Sequence, residues 1–336
     1  MKTLPISIAL FICVWCCDSF GRDEAEPINL EIVEDFSRLP YRFSSAGCTN
    51  SWNFPINLDT SGIPGLFIVQ NNWRDPGNLS SVIFRWEDRS RDNTIAQFNA
   101  PTIFIISHYP GDFDRDNIEE LAITYLIGDT VWLEILKPFN ADQLRILVEV
   151  GEDLDGSGSW DGTVFAFNDF DINSDGFNEI FVCVSAGFDL FPRYLACVDW
   201  KNGAVAWKYD MPPYISSDHT HIIKDPKSGR DLLLLGAGAL CNGVISDNLD
   251  DCHSYLICMT LDGRLLWQKQ VGGKYTHTHP ELIDYNDDGT PDIVTEIYPG
   301  EDESQAKGII VVDIEGNTLD YITLDKHLRN MQKFDI

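Results

Sequence analysis

Three nine-residue stretches of this chain obey one rule, D-x-[DN]-x-D-[GN]-x-x-[DE], and each runs straight into an apolar, β-branched segment. They cover residues 112–120, 171–179 and 284–292. Weaker copies begin at Asn57 and Asp225, ahead of the apolar runs 66–69 and 232–235. The five starts (57, 112, 171, 225 and 284) are spaced by 55, 59, 54 and 59 residues. A period this even restricts the chain to stacked copies of one supersecondary unit that share their cores with neighbours.

A second set of signals runs in phase with the first. Asn202-Gly203 separates the apolar runs 194–200 and 204–207, Asp262-Gly263 separates 255–261 and 264–267, and Glu315-Gly316 follows 309–313. Such pairs accept the positive φ of tight hairpins. Each period therefore holds a strand, an acidic loop, a second strand and a hairpin, while helical periodicity is nearly absent. This predicts an all-β chain, a β-propeller of four-stranded antiparallel blades. About five blades are visible. Residues 331–336, ending in Asp335-Ile336, repeat the approach to Asp171-Ile172, so a sixth blade is expected to start there and be truncated.

The acidic loops have the chemistry of a hard divalent cation. Calcium takes about 6–8 oxygen ligands at about 2.3–2.6 Å. Positions one, three and five (Asp112, Asp114, Asp116; Asp171, Asn173, Asp175; Asp284, Asn286, Asp288) supply short oxygen-bearing side chains. Gly176 and Gly289 at position six allow a sharp bend, and Asn117 tolerates the same backbone region. The carbonyls of Ile118, Phe177 and Thr290 and the carboxylates of Glu120, Glu179 and Asp292 complete the expected set. An EF-hand would need a glutamate at position twelve and a helix after it. Position twelve is instead Ile123, Val182 or Thr295, inside a predicted strand. A fourth stretch, Asp153, Asp155, Ser157 and Asp161, has the same spacing out of phase, and reads as a supplementary metal site or a plain turn. The acidic set is broken in the loops at Asn57 and Asp225, where Lys227 stands in a cation's place. Those two are expected to be metal-free.

The loops and the strands after them resemble FG-GAP or VCBS-type repeats, the blades of integrin α-chain propellers and of many bacterial exported proteins. The resemblance covers most of the chain after residue 50. It implies a structural role for calcium in the three loops, the ion tying each loop to its blade.

Met1-Lys2 and the apolar run from Ile6 to Trp15 read as a secretory signal, too short to span a bilayer, with cleavage expected after Gly21. Residues 22–50 would lead into the first blade, and 51–336 would form the propeller. Trp15 and Cys16 are too bulky for a lipobox at the Cys13, Cys16, Cys17 cluster, so lipid anchoring is disfavoured. The expected location is secreted, periplasmic or cell-surface, with no transmembrane helix. Six of the nine cysteines remain after cleavage. Cys241 and Cys252 bracket a polar loop that a disulfide would close, whereas Cys183, Cys197 and Cys258 sit in apolar runs as buried thiols. A net charge of -29 argues against nucleic acid as a partner.

Two further patterns bear on function. His219-Thr220-His221 and His277-Thr278-His279 lie 58 residues apart, each just ahead of a loop, and His108 stands comparably before Asp112. On strands their imidazoles could converge on a transition metal, or serve as a base for polysaccharide cleavage, as in the rhamnogalacturonan lyases, also calcium propellers. They could equally be repeat-consensus polar residues satisfied by neighbouring loops. Trp207 and Trp267 recur after hairpins, for stacking on sugars or for packing between repeats. The leading expectation is an exported, calcium-stabilised scaffold that binds a protein or carbohydrate partner. The alternatives are a lyase-like polysaccharide-active enzyme with a His-lined central face, and an extracellular sensor module of a longer protein.

Overall fold

The structure, a computed structural model, describes residues 50–57, 64–71, 81–86, 92–97, 104–137, 144–298, 300 and 307–324; the side chains of residues 50–106 and 216–219 are not described. The expected signal segment 1–21, most of segment 22–50 with Cys48, most of the loop at Asn57, the predicted repeat start at 331–336 and the His219 side chain therefore lie outside the description. All the strands fall in one compact unit, Ala46–Ile336.

Five four-stranded antiparallel sheets follow one another along the chain. The first is β1 (Asn50–Asn57), β2 (Pro64–Asn71), β3 (Ser81–Trp86) and β4 (Asp92–Gln97). The second is β5 (Phe104–Gly111), β6 (Glu120–Ile127), β7 (Thr130–Leu136) and β8 (Leu144–Val150). The third is β9 (Thr163–Phe170), β10 (Glu179–Ser185), β11 (Arg193–Asp199) and β12 (Ala204–Asp210). The fourth has β13 (Tyr214–Lys224) and β14 (Asp231–Gly238), then a two-stranded ribbon of β15 (Ile245–Ser246) and β16 (Leu249–Asp250), then β17 (His253–Thr260) and β18 (Leu265–Lys274). The fifth is β19 (Glu281–Ile283), β20 (Asp292–Ile297), β21 (Gly308–Val312) and β22 (Thr318–Thr323). No described residue is helical, so none lies in a helix long and apolar enough to cross a membrane.

The central strands of the third and fourth sheets read as continuous apolar runs because those sheets are covered on both faces. Successive side chains of a strand point to opposite faces. On β10, Ile180, Val182 and Val184 join a core shared with the second sheet, while Phe181 and Cys183 join a core shared with the fourth. On β14 and β17, Leu233, Leu235, Ile257 and Met259 face the third sheet, and Leu234, Leu256 and Cys258 face the fifth. The three free thiols, Cys183, Cys197 and Cys258, are buried in these cores. β12, the last strand of its sheet, is buried nowhere along its length. β9 adjoins both β5 and β13, so the first strands of successive sheets are neighbours.

The two recurrent tryptophans join one sheet to the next. Trp207 Nε1 donates to Leu261 O at 3.0 Å, and Trp267 Nε1 donates to Ile314 O at 2.9 Å. Each indole lies over the hairpin glycine of the following sheet, Gly263 or Gly316, where an added Cβ would come within 2.8 Å of the ring. Both glycines also hold positive φ, 86° and 88°.

Antiparallel connectivity sorts the loops into two groups. The connections 112–119, 171–178, 225–230 and 284–291 leave the first strand of a sheet, so they share one end with the hairpins 200–203, 261–264 and 313–317. The segments 151–162, 186–192 and 239–252 lie at the opposite end.

Candidate metal centres

The three periodic loops share three kinds of hydrogen bond. The position-one carboxylate accepts from the position-six amide: Asn117 N to Asp112 Oδ2 at 3.0 Å, Gly176 N to Asp171 Oδ2 at 3.2 Å, and Gly289 N to Asp284 Oδ2 at 2.8 Å. The position-five carboxylate accepts from the amide of position seven, Ile118, Phe177 or Thr290, at 2.8–3.0 Å. The position-nine carboxylate reaches back to the position-two amide: Phe113 N to Glu120 Oε2 at 2.9 Å, Ile172 N to Glu179 Oε2 at 2.7 Å, and Tyr285 N to Asp292 Oδ2 at 3.1 Å. Position nine is thus a clasp as well as a candidate ligand, a role the spacing did not reveal. Position four is left-handed too, with φ of 58° at Arg115, 62° at Ser174 and 57° at Asp287. The sequence pattern pointed only to position six.

The loop at 112–120 gathers its acids most tightly. One carboxylate oxygen each from Asp112, Asp114 and Asp116 lies within 4.8 Å of the others. Asp112 Oδ1 and Asp114 Oδ1 are buried without a hydrogen-bond partner. Buried oxygens of this kind normally have a partner, so such a pair calls for an ion or its equivalent. Glu120, 1% exposed, has its carboxyl pushed up to about 7 by burial and by the neighbouring Asp114 charge. Lys137, just after β7, sends its ammonium to Asp114 Oδ2 and stands 3.7 Å from Glu120 Oε1.

At 171–179 and 284–292 an asparagine replaces the position-three acid. There Asn173 Oδ1 and Asn286 Oδ1 accept from Asp175 N and Asp288 N at 2.9 and 3.0 Å, and Asp171 Oδ1 and Asp284 Oδ1 accept from the same amides at 3.0 Å, whereas the corresponding Asp112 Oδ1 and Asp114 Oδ1 of the first loop have no such partner. Burial also raises the Glu179 carboxyl. Adjacent loops are laced together: Arg115 donates to Asp171 Oδ2 at 3.0 Å and to Asn178 Oδ1 at 2.9 Å, while Asn178 N donates to Phe113 O at 2.8 Å.

The fourth stretch departs from its predicted set. Asp161 does not join Asp153 and Asp155; its carboxylate caps Gly187, Phe188 and Asp189 amides at 2.6–3.2 Å. Ser157 Oγ donates to Ser159 O. Asp189, 0% exposed and 28 residues beyond Asp161, takes the vacant role. Its Oδ1 accepts from Leu154 N at 2.6 Å, the position-two amide that a position-nine acid holds elsewhere. Asp153, Asp155 and Asp189 form the other place, among the described residues, where three potential ligands lie within 4.8 Å. This cluster sits at the opposite end of the sheets from the periodic loops, which explains its phase.

That end is heavily cross-braced. Cys241 and Cys252 form a disulfide. The Arg193 guanidinium, buried, donates to Asp251 Oδ2 at 2.6 Å and to Gly187 O at 3.0 Å, and Asp251 in turn accepts from the Asn242, Gly243 and Val244 amides at 2.8–3.1 Å. Phe188, Phe191 and Ile245 nevertheless project from these loops, each more than half exposed.

The histidines have separate partners. His221 Nε2 donates to Pro280 O at 2.7 Å, the Tyr214 hydroxyl and His277 Nδ1 share a bond of 3.1 Å, and His279 Nδ1 donates to Glu296 Oε1 at 2.6 Å. The first two bonds run between the fourth sheet and the segment entering the fifth. No described histidine belongs to a three-ligand group. In the loop at 225–230, Lys227 does not stand in a cation's place: it pairs with Glu315 of the next sheet's hairpin.

These features define a class: an all-β chain of successive four-stranded antiparallel sheets carrying acidic loops that could hold a metal ion. No protein-family model matches the sequence, and comparison with curated proteins gives no match. Among solved structures it is similar to the V. cholerae biofilm matrix protein Bap1, at 14% identity and a TM-score of 0.47, covering 82% of this chain and 40% of that one. It is also similar to a europium-containing methanol dehydrogenase, at 12% identity and a TM-score of 0.46, covering 81% of this chain and 52% of that one. The chain thus spans about half or less of the length of either protein.

Proposed function

We propose that this chain is an exported, calcium-stabilised β-propeller that works as a non-catalytic scaffold, presenting loops to a protein or glycan partner. The observation that carries the metal reading is the pair of buried, unpartnered oxygens, Asp112 Oδ1 and Asp114 Oδ1, inside a three-carboxylate cluster. Calcium suits an all-oxygen set with a backbone carbonyl, whereas softer metals prefer imidazole or thiolate. The blade reading is supported by sheets that share cores pairwise and by first strands that adjoin one another.

The histidine bonds favour the scaffold over the lyase-like alternative, because three of the four candidate imidazoles are engaged in holding segments together. The FG-GAP or VCBS relationship rests on the loop pattern alone. Phe188, Phe191 and Ile245, exposed on braced loops, are the surface this reading offers to a partner.

The experiment is calorimetric titration of the metal-stripped protein with calcium, paired with thermal melts in chelator and in excess calcium. An ion bound only by the folded state adds about 2.7 kcal/mol per site at a hundred times its Kd. Saturable binding with a melting point raised by many degrees is expected. Identical melts in chelator and calcium would overturn the reading.

A further inference from the structure

Lys137 belongs to no part of the acidic motif. It lies just past the end of β7, yet its ammonium bonds Asp114 Oδ2 and stands 3.7 Å from Glu120 Oε1. Those carboxylates are positions three and nine, two of the ligand positions of loop 112–120. The same cluster contains the two buried oxygens that lack hydrogen-bond partners. A lysine ammonium carries one charge and three donors, so it satisfies two carboxylates here and leaves the others unserved.

We propose that Lys137 is a tethered cation that holds the loop at 112–120 together without metal and must be displaced for a divalent ion to bind. The loop's calcium affinity is then lower than its four carboxylates alone would give. This inference rests on reading the loops as calcium sites. An ammonium on Asp114 Oδ2 and beside Glu120 Oε1 repels a calcium ion entering the same carboxylate cluster and withholds two of its ligands, so the two cations compete. The flexible, part-exposed lysine stem lets the ammonium swing out to solvent.

The other loops provide the contrast. Arg115 touches Asp171 at 3.0 Å and Lys201 touches Asp175 at 3.3 Å, one carboxylate each, from side chains 50% and 38% exposed. Among the described residues no lysine or arginine pairs with a carboxylate of loop 284–292. Loop 112–120 is thus the one whose candidate ligands are held two at a time by a single ammonium, an internal competitor that offsets part of the attraction of its additional carboxylate. Breaking the charge-assisted contacts of Lys137 lowers affinity by about tenfold.

The test is calcium titration of the full chain, as wild type and as Lys137→Met and Lys137→Gln. One binding class should tighten about tenfold in both variants while the other classes stay in place. Calcium binding with every class unchanged in both variants overturns the inference and leaves the calcium reading standing; absence of calcium binding from every loop overturns both. A second readout needs no variant. Reductive methylation of Lys137 in the wild-type protein, followed by peptide mass spectrometry, should speed up several-fold in saturating calcium, and an unchanged rate while calcium binds overturns the inference.

Discussion

Glu120→Gln should change the sign of its effect with calcium. In the metal-free protein the Glu120 carboxyl is pushed up from 4.5 to about 7, by burial first and by Asp114 second. An acid whose folded pKa is raised contributes stability below its unfolded pKa and loses it as pH rises through the folded value. Ionised Glu120 therefore costs folding free energy above pH 7, with an upper bound of about 3 kcal/mol for a shift of this size. Glutamine fills the same space, can still accept from Phe113 N and carries no charge. Without calcium at pH 8 the variant should be more stable than wild type by about 1–3 kcal/mol, and near pH 4.5 the two should be alike. With calcium the ranking reverses, because wild type gains a ligand charge that the variant lacks. Urea unfolding at both pH values, in chelator and in calcium, gives the four comparisons. The reasoning fails if the variant is no more stable than wild type in chelator at pH 8, or if calcium stabilises both proteins equally.

Two other predictions concern single part-buried side chains. Burial lowers the His108 imidazole to about 4, so its contribution is present above pH 6.5 and is lost as pH falls towards 4, at a cost of up to about 3 kcal/mol; His108→Gln should flatten that part of the pH–stability curve in urea unfolding, and an unchanged slope would refute it. Trp207→Ala should cost about 1–3 kcal/mol, since it removes a part-buried indole packed over Gly263 and its bond to Leu261 O; a loss of oligosaccharide binding with stability intact would instead assign Trp207 to sugar stacking.

Local chemistry made much of the molecule legible. The D-x-[DN]-x-D spacing places three oxygens on one tight turn whatever surrounds it, and the Gly203, Gly263 and Gly316 hairpins form within a few residues of chain. The bond from position nine to position two, seen at Glu120, Glu179 and Asp292, is just as local. It stayed hidden because a ligand and a clasp use the same residue types. Asp161 was misplaced for the opposite reason: spacing favoured it, but the bare amides at 187–189 drew its carboxylate away, and Asp189 arrived from another connection. Lys227 sits inside its motif and turns outward to Glu315, whereas Lys137 lies outside its motif and turns inward.

Sequence alone determined the repeat, through its even period, and the all-β class, the antiparallel hairpins and the oxygen-rich turns, because each of these last depends on side chains within about ten residues of one another. Only the tertiary structure decided which cations and carboxylates meet, which end of the sheets carries each acidic cluster, and which partners hold the histidines and tryptophans. Many of those choices are made between neighbouring sheets, where contacts join residues 54 to 63 positions apart, and others between strands of one sheet, as Lys137 with Asp114 across 23 positions. No local pattern encodes which of two nearby charges will turn towards the other.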